Sequence, residues 1–213
     1  MKEITDAMLC ELRARVQSKM SEKRFFHTLA VEDMTARLCA LFCPDQTQKM
    51  RAAALLHDVT KELGAKEQIA LCEELGLLLT AFDRAAPKTF HARTAAALIE
   101  TEFSDFDDPT IVSAVRWHTT GHAEMTLTEQ ILYLADYIDD SRTFDGCVKL
   151  RRMFWEADPA AMSEKERLFH FYRVLMRSFD MTVADLVEEG KPIAPDTVNA
   201  RNSLLLRLMQ TEV

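Results

Sequence analysis

The sequence predicts an all-α fold, a single compact bundle of helices. Three observations predict it. The 213 residues include only 5 glycines and 6 prolines, so chain breakers are few. Long stretches carry apolar residues at helical intervals, and no convincing run shows the period of two that marks a strand. No repeat, low-complexity tract or long polar linker divides the chain into independent domains. The length suits one domain, with the last part, from about residue 160 to 213, read as a helical extension.

The elements follow in order. A first helix covers about Ile4 to Val16, with Ile4, Leu9, Leu12 and Val16 roughly on one side. Ser21 is a plausible N-cap for the next, which runs to about Phe42 before Pro44 breaks the chain. Asp45 and Gln48 have the spacing of a capping box, opening a helix that ends at His57. Ala65 to Leu75 is helical and closed by Gly76. Leu77 to Phe90 is less regular and contains Pro87. His91 to about Glu102 is a helix. Asp108 and Pro109 supply an N-cap and a first-turn proline for a helix to His118, with Gly121 in the turn beyond. Helices follow over Thr128–Asp139, Cys147–Trp155, Glu164–Phe179, Val183–Glu189 and, after Gly190, Pro192 and Pro195, about Thr197–Met209.

One stretch stands out. The run Ala52-Ala53-Ala54-Leu55-Leu56 ends in His57-Asp58, an imidazole and a carboxylate side by side at the end of a buried helix. Buried polar groups need partners. Three more histidines share that placement. His27 aligns with Val31, Met34 and Leu38, His91 with Ala95 and Leu98, and His118 follows Ile111, Ala114 and Val115. Asp136 lies in the apolar helix ILYLADYIDD, at the edge of its buried stripe. A lone histidine of this kind is ordinarily a core imidazole bonded to a carbonyl. Four of them, with Asp58 and Asp136, point instead to a metal that also binds water and oxygen anions. The five cysteines, Cys10, Cys39, Cys43, Cys72 and Cys147, form no CxxC pair and read as free thiols, against a closed zinc site.

Composition narrows the function. A formal net charge of −8 argues against a general nucleic-acid binder, yet allows a small polyphosphate if metals and local cations offset the charge. No apolar stretch reaches membrane-spanning length, and the N-terminus MKEITDAMLCELRARV lacks a signal-peptide core, so the expected location is the cytoplasm. No GxSxG nucleophile motif is present.

The ordered set SEKRFFHTLAV (21–31), ALLHDVTKE (54–62), His91, RWHTTGHAEMT (116–126), ILYLADYIDDSRTFDG (131–146) and PDTVNARNSLLL (195–206) resembles the HD superfamily of metal-dependent phosphohydrolases. Within it, the set is most similar to the bacterial YqeK-type symmetrical diadenosine tetraphosphate hydrolases. The resemblance implies two metal ions, generally iron, with manganese, cobalt or zinc also suited to such ligands. It implies that His27, His57, Asp58 and Asp136 hold one metal, and that Asp58 bridges to a second held by His91 and His118. Many relatives have Gly after the third histidine; here Ala92 and Arg93 follow His91.

The expected chemistry is attack of a metal-activated water on an inner phosphorus of a dinucleoside tetraphosphate, giving two ADP. Asp58 and Lys61 are the expected catalytic residues. Lys61, four residues after His57, is also the leading phosphate contact, ahead of a solvated surface lysine. Arg24 and Arg142 contact phosphate or else pair with a carboxylate. Thr119 and Gly121, with Thr120, contact phosphate or ribose, or are simply a turn. His122 is a proton donor or a rim residue, and Trp117 a nucleobase neighbour or a packed side chain. Lys88 reads as surface, His170 as structural, Asp139 and Asp140 as a solvated helix end, and Arg201 and Asn202 as part of a packed tail. Two other functions stay open: an HD phosphohydrolase acting on another nucleotide, and a non-catalytic nucleotide-binding HD module.

Overall fold

The computed structural model describes residues 3–211. Among them there are eleven α-helices and no strand: α1 Asp6–Gln17, α2 Glu22–Phe42, α3 Thr47–Leu56, α4 Ala65–Glu74, α5 Ala81–Ala85, α6 Phe90–Thr101, α7 Pro109–Trp117, α8 Leu127–Ile138, α9 Asp145–Trp155, α10 Glu164–Glu188 and α11 Pro195–Thr211. Ser21 caps α2 by accepting from the Arg24 N–H, and Asp108 caps α7 by accepting from the Thr110 N–H at 2.9 Å. Gly76 stands just past the end of α4 at φ +67, the left-handed position where glycine costs least.

The helix α3 is the hub, packed by α1, α2, α6, α7 and α8. Ala52 through Leu56 are all fully buried, and the three alanines let neighbouring backbones come close. The core runs unbroken from Ile4 and Leu9 in the N-terminal segment to Ala200 and Leu204 in α11. α9 and α10 pack on α8, and α11 packs on α10. No helix among the described residues is long and apolar enough to cross a membrane.

Four elements differ from expectation. The segment Glu164–Glu188 is one 25-residue helix, not two, because Asp180-Met181-Thr182 contains no breaker and Thr182 is anchored to the Tyr137 hydroxyl at 2.5 Å. α5 forms inside the stretch read as irregular, opened by a reciprocal Thr80–Asp83 capping box. Asp45 does not cap α3; a 3-10 turn over Pro44–Gln46 leads in, and Thr47 Oγ1 donates to the Pro44 carbonyl at 2.7 Å. α8 starts at Leu127 behind a Thr126–Glu129 capping box.

Candidate metal centre

Three helix ends deliver three histidines in one way. His57 and His118 directly follow α3 and α7, and His91 is the second residue of α6. In each, Nδ1 meets the carbonyl three residues back: Ala54 at 2.6 Å, Lys88 at 2.9 Å and Val115 at 2.7 Å. A carbonyl only accepts, so Nδ1 carries the proton and Nε2 keeps its lone pair, the tautomer a metal ligand needs. The core-imidazole reading of a lone histidine is thus correct for one edge of each ring, and the other edges converge.

They converge on Asp58, itself 2% exposed. Its Oδ1 lies 3.3 Å from His91 Nε2 and 3.7 Å from His118 Nε2. Its Oδ2 lies 3.5 Å from His57 Nε2 and 3.9 Å from His27 Nε2. Each oxygen therefore faces a different pair of histidines. Asp136, near the end of α8, reaches the second pair, with Oδ1 at 3.0 Å from His27 Nε2 and 3.9 Å from His57 Nε2. Ligand atoms of His27, His57 and Asp136, and of His57, Asp58 and His118, lie within 4.8 Å of one another in each triple.

The cluster fits metal ions. Nε2 of His27, Nε2 of His57 and Oδ1 of Asp58 are buried without a hydrogen-bond partner, an arrangement that is costly unless a cation satisfies them. The donors are all imidazole nitrogen or carboxylate oxygen, a set that suits a transition metal.

Electrostatics agree. Burial opposes ionisation of Asp58, but His57 and Lys61 hold it well below the usual carboxylate range. Asp136 is likewise held low against burial by Arg142 and His27. Burial pushes the His91 and His118 imidazoles down, toward the neutral form. His27 alone runs the other way: burial acts against its charge, yet the Asp136 and Asp139 carboxylates beside it lift it to about 9, so a metal ion there would have to displace its proton.

Cations ring the site. Lys61 Nζ lies 3.0 Å from His91 Nε2 and 3.9 Å from Asp58 Oδ1. Arg24 Nη1 donates to Asp58 Oδ2 at 2.8 Å, and Arg142 Nη2 donates to Asp136 Oδ1 at 2.5 Å. Both arginines thus take the carboxylate-pairing alternative in this state. Thr119 Oγ1 sits 3.0 Å from His91 Nε2 and 3.1 Å from His118 Nε2.

Other candidates lie elsewhere. Gly121 cannot offer its N–H to a ligand, because that group donates to the Trp117 carbonyl at 2.8 Å. Its φ is +63 and its α-carbon faces Phe179 and Met125, so the residue serves the turn and the packing. His122 bonds Glu129 Oε2 at 3.1 Å and packs, tilted by 41°, against the Trp117 ring at 4.6 Å. Trp117 is half-buried, with the Arg116 guanidinium 4.2 Å from its ring. The Lys88 side chain is exposed, as expected, but its carbonyl orients His91. Asp139 is not solvated. It is fully buried, accepts from the Ser141 N–H at 2.8 Å, and faces His27 Nδ1 at 3.5 Å. With Ser141 Oγ at 3.0 Å it orients the ring of His27, a role the sequence reading missed. Asp140 is exposed and pairs with Arg37 at 3.1 Å.

The HD domain family model matches residues 24–140, the stretch that holds all six residues of the cluster. The chain belongs to the HD-domain family. Over 197 residues, 92% of this HD protein and 96% of the relative, it is 30% identical to the symmetrical bis(5'-nucleosyl)-tetraphosphatase of Bacillus subtilis. The enzymes of the same name from Halalkalibacterium halodurans and Staphylococcus aureus are 31% and 34% identical. The first match covers 90% of this chain and 94% of the relative, the second 64% and 69%. A solved structure described as a predicted HD superfamily hydrolase involved in NAD metabolism, from Clostridium acetobutylicum, superposes with a TM-score of 0.80 at 31% identity, over 93% of this chain and 97% of that one. The resemblance read from the motifs therefore extends well beyond the HD segment.

Proposed function

We propose that this protein hydrolyses diadenosine tetraphosphate symmetrically, giving two ADP. The observation that carries the reading is the cluster itself: Asp58 turns one oxygen to His91 and His118 and the other to His57 and His27. It stands in a chain whose relatives, named symmetrical bis(5'-nucleosyl)-tetraphosphatases, match it along most of its length.

In this reading His27, His57, Asp58 and Asp136 hold one metal, and Asp58, His91 and His118 the second. The metals are taken to be iron, with manganese, cobalt or zinc able to use the same ligands. Bound there, they supply Lewis acidity toward water and toward phosphoryl oxygens. The chain does the rest. Asp58 stays ionised between the two histidine pairs. Lys61, Arg24 and Arg142 are the cations in reach of the polyphosphate; in exchanging a carboxylate for a phosphoryl oxygen, each arginine keeps a charge-assisted partner. Thr119 Oγ1 offers a hydroxyl beside His91 and His118.

The test is a product analysis. Protein loaded with iron or manganese is incubated with diadenosine tetraphosphate and the nucleotides are resolved. ADP alone is expected; ATP with AMP, or no turnover, overturns the reading. Metal analysis of the same preparations should find about two ions per chain, with at least one site emptied in Asp58→Ala and in His57→Ala.

A further inference from the structure

All six cluster residues lie within the HD segment, residues 24–140. Where that segment ends, its last residues and those that follow build a cleft of about 480 Å³. Asp136 and Arg142 belong to its lining, so it adjoins the Asp136 end of the cluster. Tyr137, Phe144, Met181 and Asp185 form the remainder that matters here. From the geometry we infer that this cleft is a nucleoside subsite, taking the base and ribose of one half of the dinucleoside polyphosphate. The inference rests on the hydrolase reading above and adds to it the element that distinguishes a nucleotide from bare polyphosphate.

The volume falls within the range of small-molecule sites, about 300–1,000 Å³. Phe144 is the telling residue. It occupies the N-cap of α9, where Ser, Thr, Asp or Asn ordinarily accepts from the first turn, and it makes no capping bond. Its side chain is 72% exposed. A phenyl ring so placed contributes nothing to starting the helix and gains little from burial, whereas a nucleobase laid on it would take one wetted face of each ring out of water. Tyr137 adds a second ring. Its hydroxyl is tied to Thr182 Oγ1 at 2.5 Å and its ring is stacked with Tyr133 at 5.9 Å, so what it offers the cleft is the remainder of its aromatic surface.

The opposite wall comes from α10. Because that helix runs unbroken through Asp180–Thr182, it carries Met181 and Asp185 past the end of α8. Met181 supplies a polarizable apolar contact. It also approaches Gly146 so closely that a β-carbon there would overlap its Cε. The exposed Asp185 carboxylate accepts only, which suits ribose hydroxyls or an exocyclic amine and disfavours a further phosphate. A smaller cavity of about 210 Å³ at the other end of the cluster is lined by Lys61, Lys88 and His91, with no Phe, Tyr or Trp. The two ends of the cluster thus present different chemistries, rings at one and ammonium groups at the other.

The experiment compares kcat/KM for diadenosine tetraphosphate with that for inorganic tetraphosphate in the wild type, in Phe144→Ala and in Leu206→Ala. Leu206 is an exposed residue of α11 that lines neither cavity. Phe144→Ala should lower the preference for the dinucleotide by about tenfold, chiefly through KM, since stacking one base on an aromatic ring is worth about 5- to 150-fold. Leu206→Ala should keep the wild-type preference. An unchanged preference in Phe144→Ala overturns the assignment. If the wild type turns over neither compound, the hydrolase reading fails, and calorimetric titration of ADP into the metal-loaded proteins decides the cleft alone. Affinity about tenfold weaker in Phe144→Ala then supports it, and equal affinity overturns it.

Discussion

Thr60 Oγ1 and Thr94 Oγ1 meet at 2.8 Å in the buried layer behind the cluster. Thr60 follows Asp58 by two residues, and Thr94 follows His91 by three. Gln68 closes the set, donating to the Thr60 carbonyl at 2.5 Å and accepting from Thr94 Oγ1 at 3.0 Å. This network ties the segment that carries Asp58 to the helix that carries His91.

Thr94→Val keeps the shape and removes the hydroxyl, leaving Thr60 and Gln68 short of a partner. Urea unfolding of the metal-free protein should show a loss of about 1–3 kcal/mol. A midpoint equal to that of the wild type would show the network to be dispensable.

Asp139 stands behind His27 as a carbonyl stands behind each of the other three histidines. Asp139→Asn retains the volume and weakens the hold on the ring. Chelator competition should report metal affinity lowered by about 10–100-fold, the usual cost of losing an outer partner of a ligand. Circular dichroism should be unaltered, which separates reorientation from unfolding.

At Gly121 an added methyl would stand 2.7 Å from Phe179 Cζ and 3.0 Å from Met125 Sδ, on a backbone already at φ +63. Gly121→Ala should therefore destabilise the fold by about 1–3 kcal/mol. Thermal melts would register this as a fall of several degrees. A melting temperature within one degree of wild type would contradict the packing argument.

Acid sensitivity can be traced at the start of α7. Burial opposes ionisation of Asp108, but the Lys49 ammonium at 2.9 Å and the Thr110 N–H outweigh it, so the carboxyl titrates below its ordinary value. A carboxyl whose folded pKa is depressed stabilises the fold fully above its unfolded pKa of about 4. That contribution fades as pH falls through the lower folded value. Lys49→Met should cost about 1 kcal/mol at pH 7, with the gap to wild type closing in acid. Denaturation curves at pH 7 and pH 3 provide the comparison; a gap that widens in acid would refute it.

The sequence was most readable where one helix face settles the matter. His27, His57, His91 and His118 announce themselves as polar residues on apolar stripes, and the structure brings all four to Asp58 and Asp136. Asp139 was hidden by the opposite logic. Two aspartates ending a helix read as solvated, and only the return of α2 over the end of α8 makes one of them a buried partner of His27. Gly121 looked like a turn glycine beside a ligand. Its actual neighbour, Phe179, comes from α10, and no local pattern announces such an approach. The expected break near residue 180 failed for want of any residue that would make one. α5 was signalled by Thr80 and Asp83 in capping-box spacing, a mark obscured by the proline that follows it.

The six cluster residues are spread along the chain from residue 27 to residue 136 and arrive on, or directly after, five different helices. No stretch of the unfolded chain can assemble them, so a metal ion that binds the folded form has no comparable home in the unfolded one. A metal ion held there would by mass action be a folding ligand: at a free concentration 100 times its dissociation constant, an ion adds about 2.7 kcal/mol of stability. Cells short of that metal would lose catalytic capacity twice, through idle sites and through a smaller standing pool of protein, because the unfolded fraction that proteases clear would grow.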